Sequence, residues 1–314
     1  MQMCELKHVS VMLNECMDGL NVVDGGTYFD GTLGGGGHSY EILRRSAPNG
    51  RLIATDLDDY AIGRASERLK EFDGRFTIVK DNFKNFEAVK EKVNVHEFDG
   101  ILLDLGVSSF QLDDRDRGFS YMAEDVKLDM RMDRNSSLTA YTVVNEYSEK
   151  DIKRILSDYG EERFAGAIAK NIVGQRRIKP IETTGQLNQI ISKSIPEKFK
   201  HEGHPAKRTF QAIRIEVNGE LEGLYETVLN MARSLKKGGR IAILTFHSLE
   251  DRIVKRAFKE LECDCICDKS LPVCVCGKRK EIEIITKHPT VSCEEELKIN
   301  SRAKSAKLRI AEKI

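Results

Sequence analysis

Residues 26–38 read GTYFDGTLGGGGH, and this stretch decides the fold that the sequence predicts. Apolar residues lead into Asp30, four consecutive glycines follow, and His38 opens an amphipathic segment. This order indicates a strand, a tight turn and a helix. Glycine has no Cβ, so such a turn can adopt positive φ angles and let a ligand approach the main chain closely. The sequence therefore predicts a ligand-binding turn between the first strand and the following helix.

The alternation of strands and helices continues outward from this turn. Strands are predicted at residues 50–56, 75–80 and 99–105, and helices at residues 38–45, 60–72 and 83–93. A repeated β-α-β unit implies a parallel sheet with right-handed crossovers. The pattern stops near residue 108 and returns with a helix at 220–236, a turn at 237–239 and a strand at 240–246. An antiparallel pair, residues 281–286 and 307–312, is predicted at the end.

The interruption predicts a discontinuous domain organisation. Residues 1–107 and 212–314 should form one α/β domain with a doubly wound, mostly parallel sheet, and residues 108–211 an inserted helical domain. Helices within the insertion are predicted at residues 151–159, 161–175 and 184–191.

The amino-acid composition indicates the cellular compartment of the chain and the kinds of partner that it can bind. Its 314 residues contain 50 Lys+Arg and 50 Asp+Glu, so any affinity for nucleic acid must come from local basic patches. No segment approaches the roughly 18 consecutive apolar residues of a membrane span. Eight cysteines in a chain of this length do not indicate a disulfide scaffold. We expect a cytoplasmic protein that does not bind a membrane.

Acidic residues follow two of the predicted strands. Asp56 closes the second strand, where a carboxylate can accept hydrogen bonds from ribose hydroxyls, although an Asp at this point can also cap a helix. Asp104 ends the fourth strand, and Gln111 follows with both a donor and an acceptor. The turn lacks Gly-Lys-Ser/Thr and departs from Gly-x-Gly-x-x-Gly, which weakens ATP and NAD as ligands. S-adenosylmethionine has no phosphate to bind and fits better.

Seven ordered motifs resemble those of the MraW type of bacterial small-subunit ribosomal RNA cytosine-N4 methyltransferase. The resemblance spans residues 8–310, and its motifs lie at residues 31–39, 102–109, 117–120, 128–133, 159–163, 208–212 and 246–252. It implies a class I methyltransferase domain and an inserted substrate domain that act on a cytidine of the decoding region in the assembled small subunit. The cofactor contacts that it implies are Gly36, Gly37, His38, Asp56, Phe83, Asp104 and Gln111.

The chemistry of such an enzyme suggests two catalytic candidates. The exocyclic amine of cytosine is a poor nucleophile, so an acceptor must hold its N–H groups and turn the lone pair toward the methyl group. Asp104 is the leading candidate by position, although Leu105-Gly106-Val107 replaces the Pro-Pro-aromatic sequence that many amino-methylating enzymes carry there. His247, just after the fifth strand, is the second candidate, as a base or a stacking ring, or else a structural histidine.

Two further clusters leave alternatives open. Lys207, Arg208, Phe210 and Arg214 combine positive charge with an aromatic ring, which indicates RNA binding, or a solvated charged face around a core phenylalanine. Four thiols, those of Cys265, Cys267, Cys274 and Cys276, could hold a structural zinc ion, although Cys-x-Cys spacing is less diagnostic than Cys-x-x-Cys. The prediction is that they bind no metal.

Two other classes of function remain open at this point. A nicotinamide oxidoreductase would account for the sheet and Asp56 but needs a pyrophosphate-binding turn. A non-catalytic ribosome assembly factor would use the basic surfaces without Asp104. The sequence does not establish which nucleotide is modified, whether the substrate is naked RNA or the assembled subunit, or what the oligomeric state is. A homodimer is one option.

Overall fold

The computed structural model describes residues 10–108, 111–112, 114–123, 125–202, 204–267 and 275–314. These residues divide into two compact units. One contains the described residues up to Gly106 together with Leu221–Ile314, and the other is Val107–Glu220. Among the described residues, no helix has the length and apolar character needed to cross a membrane.

A seven-stranded sheet forms the centre of the first unit. Its strands are β1 (Thr27–Asp30), β2 (Arg51–Asp56), β3 (Phe76–Lys80), β4 (Phe98–Asp104), β5 (Leu235–Thr245), β6 (Ile282–Ile284) and β7 (Lys307–Lys313). Their order is β3-β2-β1-β4-β5-β7-β6. The first five strands pair in parallel, and β7 is antiparallel to both β5 and β6. The predicted mostly parallel sheet and its antiparallel end are confirmed.

The helices among the described residues are labelled here in chain order. They are α1 (Leu13–Leu20), α2 (Gly37–Arg45), α3 (Asp59–Leu69), α4 (Phe86–Val93), α5 (Ala140–Glu146), α6 (Glu149–Asp158), α7 (Ala165–Arg176), α8 (Thr184–Ser194), α9 (Lys207–Asn218), α10 (Leu224–Arg233), α11 (Ser248–Glu262) and α12 (Glu294–Ile299). Short 3-10 helices lie at Lys70–Phe72, Phe83–Asn85, Arg115–Arg117, Glu197–Glu202 and Ser301–Ser305.

Both faces of the sheet are covered, which is why its central strands are apolar without interruption. Successive side chains of a strand point to opposite faces, so Tyr28 and Phe29 of β1 belong to two different cores. On one face Phe29 packs edge-on against Phe86 of α4, with ring centroids 5.0 Å apart. On the other face Tyr28 packs with apolar residues of α1, α2 and α3. The doubly wound arrangement fixes the edge at which the strands end.

The second unit has its own apolar core, built from α5 to α9 and the segments before them. Helix α8 begins with a capping box, in which the side chains of Thr183 and Gln186 each accept from the other residue's backbone N–H. Helix α6 is capped by Ser148, whose hydroxyl accepts from Asp151 N. No strand longer than an isolated bridge occurs among the described residues of this unit.

The structure corrects several predicted boundaries. Residues 237–239, predicted as a turn, lie inside β5, because β5 pairs with β4 at both Leu235 and Arg240 around an irregular register. The helix predicted from residue 161 begins at Ala165 instead. Glu161 has a φ of 47°, which is outside the range of a right-handed helix. Helix α9 was not predicted as an element, and it runs across the predicted boundary at residues 211 and 212.

Candidate active site

The glycine turn lies at the carboxyl edge of the sheet, where β1, β2 and β4 end side by side. Asp30 is in register with Ala54 of β2 and Leu102 of β4. Beyond the strand, Gly31 N donates to Leu102 O at 3.0 Å and Leu33 N donates to Thr55 O at 3.0 Å. Main-chain hydrogen bonds to both neighbouring strands therefore fix the start of the turn, at the edge where parallel sheets bind ligands.

The buried carboxylate of Asp30 stabilises the turn through hydrogen bonds. Its side chain is buried, with one oxygen accepting from Thr32 N at 3.0 Å and the other from the Ser39 hydroxyl at 2.6 Å. Burial raises the pKa of Asp30, and these hydrogen bonds oppose the rise. The carboxylate thus links the first residues of the turn to helix α2. Asp30 was not among the site residues predicted from the sequence, although its position at the end of the first strand was the available signal.

At two positions of the turn, neighbouring atoms of the protein leave little or no room for a side chain. A Cβ on Gly37 would lie 2.0 Å from the Ser10 hydroxyl oxygen. Gly36 has a φ of 73°, and its Cβ would approach the Ala65 Cβ of α3 to 3.1 Å. By contrast, a Cβ on Gly34 would meet nothing nearer than a carbonyl oxygen at 3.8 Å. The missing side chains therefore let Gly36 pack closely against α3 and Gly37 against Ser10, while the turn stays open near Gly34.

Asp56 lies opposite the turn at the end of β2. Its carboxylate accepts from Gly34 N at 2.8 Å and from Asp58 N at 2.9 Å. Burial raises the pKa of Asp56, and these two backbone bonds oppose it. The residue that caps α3 is Asp58, which accepts from Tyr60 N, so Asp56 is not the helix cap. Asp56 holds the turn against the next loop, and each carboxylate oxygen keeps further acceptor capacity.

Asp104 ends β4 beside the turn, and its main-chain N donates to the Thr32 hydroxyl oxygen at 2.6 Å. Oδ2 lies 3.7 Å from His38 Nδ1. Oδ1 is completely covered and has no hydrogen-bond partner among the described residues. Burial raises the pKa of Asp104 to about 6, His38 opposes the rise, and the negative charges of Asp30 and Glu250 add to it. A buried acceptor without a donor is costly, which marks Asp104 as a site for a ligand's donor.

His38 is oriented by the N-terminal segment. Its ring is buried, and Nε2 lies 3.0 Å from Val11 O. A carbonyl can only accept, so Nε2 carries the hydrogen. Nδ1 then faces the Asp104 carboxylate, 3.7 Å from Oδ2. The structure thus brings together two residues that the sequence predicted for the site, and it shows that the side chain of His38 faces Asp104.

The remaining predicted cofactor residues lie in two places. Phe83 begins the 3-10 helix after β3 and is half-buried, and its Cβ would lie 2.9 Å from a Cβ on Gly31. Phe83 is therefore beside the glycine turn. Gln111 belongs to the second unit, where its side chain is buried and Oε1 accepts from Ser108 N at 3.0 Å.

His247 caps helix α11 after β5. Its Nδ1 accepts from Glu250 N at 3.4 Å, and Nε2 lies 3.1 Å from Glu250 Oε1. Glu250 in turn accepts from His247 N at 3.3 Å, which completes a capping box, and it also accepts from Phe246 N at 2.8 Å. The side chains of His247 and Glu250 are both buried. The geometry assigns His247 a structural function, and its predicted catalytic function stays a prediction.

Helix α9 changes the interpretation of the predicted RNA-binding group. Phe210 is 3% exposed and packs in the core of its unit, so its ring is not available for stacking, which corrects the prediction. Arg214 makes two hydrogen bonds of 2.7 Å to Glu220, and neither side chain is well exposed, so its charge is neutralised within the protein. Lys207 and Arg208 are exposed. Arg208 Nη1 also donates to Glu161 O at 3.2 Å. Only these two keep the predicted solvent-facing charge.

Comparison with known proteins identifies the family. The model of the MraW methylase family matches residues 5–314. The chain belongs to the MraW methylase family. It is a methyltransferase, and its cofactor is S-adenosylmethionine.

Relatives of similar length share this assignment. Proteins called ribosomal RNA small subunit methyltransferase H from Clostridium botulinum strain Kyoto and Clostridioides difficile strain 630 are each 54% identical to this chain. The alignments cover 310 and 312 residues, or 99% of this chain and 100% of each relative. A solved S-adenosylmethionine-dependent O-methyltransferase of Thermotoga maritima matches 98% of this chain and 68% of its own, at 11% identity and a TM-score of 0.40. That likeness is too weak to carry an inference.

The residues at the turn fit the cofactor of this methylase family. S-adenosylmethionine carries a positive sulfonium and a positive amino group, and cations are favoured where buried carboxylates are close. Asp104 offers a covered oxygen that lacks a donor, and Asp30 and Glu250 add negative charge around it. Asp56 offers acceptor positions beside the open part of the turn at Gly34.

Proposed function

We propose that this chain methylates the exocyclic N4 amine of a cytidine in the decoding region of small-subunit ribosomal RNA. The observation that carries the proposal is its 54% identity, over the full length of both chains, to proteins called ribosomal RNA small subunit methyltransferase H. The N4 position and the decoding region come from the resemblance of the seven sequence motifs. The assembled small subunit is the substrate form that this resemblance favours.

Asp104 is the residue that we assign to the reacting amine. The bound cofactor would supply an electrophilic methyl group. Near neutral pH a carboxyl group with a pKa of about 6 is mostly ionised, so Asp104 can accept a hydrogen bond from the amine. Such a bond turns the nitrogen lone pair out of the ring plane. His38 lies beside this carboxylate, with Nδ1 3.7 Å from Oδ2.

The cofactor contacts proposed for the other residues follow from their placement at the turn. Gly36, Gly37 and His38 would offer main-chain atoms, Asp56 would accept from the ribose hydroxyls, and Phe83 would lie against the adenine. Gln111 is the further cofactor contact that the resemblance of the motifs implies. The acceptor capacity of Asp56 and the position of Phe83 beside Gly31 support these assignments.

RNA binding is assigned to the second unit through helix α9. Lys207 and Arg208 are exposed cations in its first turn and suit contacts with phosphate groups. Phosphate contacts make affinity fall as salt rises, so replacing both with alanine should weaken binding to the subunit and reduce its dependence on salt.

The test is methylation of the natural substrate in vitro. Small ribosomal subunits from cells that lack the gene are incubated with the purified chain and S-adenosylmethionine bearing a deuterated methyl group, and the nucleosides are then analysed by mass spectrometry. Deuterated N4-methylcytidine is expected. Asp104→Ala should abolish it while binding to the subunit survives, and Asp24→Ala, at an exposed position of the same unit, should leave it unchanged.

The other outcomes are equally informative. Label in a different nucleoside would overturn the N4 assignment. If Asp104→Ala kept full methylation, Asp104 would not be the group that holds the amine. A chain that binds the subunit but transfers no label would act as an assembly factor. A parallel reaction with naked RNA decides whether the assembled subunit is required.

A further inference from the structure

Three cysteine sulfurs converge on one point in the first unit, outside the candidate active site. Cys265 and Cys267 follow helix α11, and Cys276 precedes strand β6. Their Sγ atoms all lie within 4.8 Å of one another, and those of Cys265 and Cys276 are 3.9 Å apart. A disulfide requires about 2.05 Å between its sulfurs, so the described arrangement of this pair is not that of a disulfide.

Main-chain N–H groups are directed at all three sulfurs. Ile266 N donates to Cys276 Sγ at 3.4 Å, and Cys267 N donates to Cys265 Sγ at 3.4 Å. Val275 N donates to Cys267 Sγ at 3.3 Å. Each of these N–H groups leaves lone pairs on the sulfur that it contacts, and sulfur is a ligand that soft and borderline cations prefer. Three sulfurs this close together are therefore arranged as the ligands of one such cation.

We propose that Cys265, Cys267 and Cys276 bind a structural Zn²⁺ ion. A zinc–sulfur bond is about 2.3 Å long, and two such bonds at the tetrahedral angle separate their sulfurs by about 3.8 Å. The 3.9 Å between Cys265 and Cys276 matches this separation. Sulfur ligands in a tetrahedral arrangement select zinc over the hard cations magnesium and calcium. Each thiol that binds the ion releases its proton to solvent.

The ion would stabilise the connection between α11 and β6. The ends of this connection are already close, because Glu281 N donates to Leu261 O at 2.8 Å and Ile284 N donates to Glu262 Oε1 at 3.0 Å. Zinc bound to Cys265, Cys267 and Cys276 would join the two ends of this connection at a second point. A closed loop has fewer unfolded conformations, so the ion should raise the stability of the unit without touching the methyl-transfer chemistry.

A tetrahedral zinc site needs a fourth ligand. Cys274 is the candidate by sequence, and it lies outside the described residues. Cys263 is a matched control nearby, because its Sγ donates to the Cys265 carbonyl and it does not belong to the three-sulfur cluster. Cys293, an exposed cysteine elsewhere in the unit, is a second control.

The test measures metal content and spectroscopy in the full-length chain. Protein purified under reducing conditions should contain about one equivalent of zinc by mass spectrometry of its metals. Cys267→Ser and Cys276→Ser should each lower the zinc content at least tenfold, whereas Cys263→Ser and Cys293→Ser should keep it. Replacement of zinc by Co²⁺ should give the intense visible bands of tetrahedral thiolate coordination in the wild type and in both controls.

A measurement on the wild type covers the case in which a variant fails to fold. Removing the metal with a chelator should lower the melting temperature, and adding Zn²⁺ alone should restore it. Iron in place of zinc, equal zinc in all four variants, or a reduced wild-type chain with no metal would each overturn the proposal.

Discussion

Replacing Asp104 with asparagine should stabilise the cofactor-free protein at the same time as it abolishes activity. The side chain is 27% exposed but Oδ1 is fully covered, and the pKa lies at about 6 against an ordinary value of 3.8. Each pKa unit corresponds to about 1.4 kcal/mol, so keeping Asp104 charged in the fold costs at most about 3 kcal/mol. Asparagine has the same shape without the charge, and its amide can donate to His38 Nδ1.

The expected gain depends on pH in a direction that identifies its cause. The pKa of Asp104 is higher in the folded chain than in the unfolded chain. In the wild type the protonated carboxyl therefore adds to the free energy of unfolding below about pH 4. This contribution is lost as the pH rises through 6. Asp104→Asn has no such loss. At pH 8 its free energy of unfolding should exceed that of the wild type by up to about 3 kcal/mol, and at pH 4 the difference should nearly vanish.

Urea unfolding at several pH values measures this difference directly. A rise of the melting temperature at pH 8, on the order of 5 °C, gives a second estimate in calorimetry. Asp24→Asn, at an exposed position, should change neither quantity. The reasoning is refuted if Asp104→Asn is no more stable than the wild type at pH 8, or if its advantage is as large at pH 4 as at pH 8.

Two further pairs of variants test the packing of the turn and the function of His247. Gly36→Ala should destabilise the protein by about 1–2 kcal/mol, because φ is 73° and Ala65 is close. Gly63→Ala, in α3 with nothing within 4 Å of the added Cβ, should stabilise it by about 0.5 kcal/mol in the same urea titration. His247→Ala should lose about 1 kcal/mol of stability with the cap of α11, and His247→Asn should recover most of it. If His247→Asn is stable and still transfers methyl groups, His247 is a structural residue; if it is stable and inactive, the catalytic prediction stands.

Strands and helices with a clear hydrophobic period could be predicted from the sequence alone. The turn from Asp30 to His38 was found because its glycines stand between a strand and a helix. Elements were missed where the local pattern was ambiguous. Helix α9 combines charged residues with Phe210, and the sequence did not reveal that the ring is in the core of its unit. Residues 237–239 were predicted as a turn and instead lie inside β5, although Gly238 has a φ of 80°, because the strand pairs with β4 on both sides of an irregular register.

The sequence by itself determined the alternation of strands and helices that builds the sheet, the α/β class and the family, because hydrophobic periodicity and motifs are local properties of the chain. Only the tertiary structure decided which polar groups have partners. It showed that Asp56 holds the turn through Gly34, that His38 faces Asp104, and that Oδ1 of Asp104 is buried without a donor among the described residues. Burial and hydrogen bonding depend on strands that are distant in sequence, so the charge state of Asp104 follows from the folded sheet and not from its sequence neighbours.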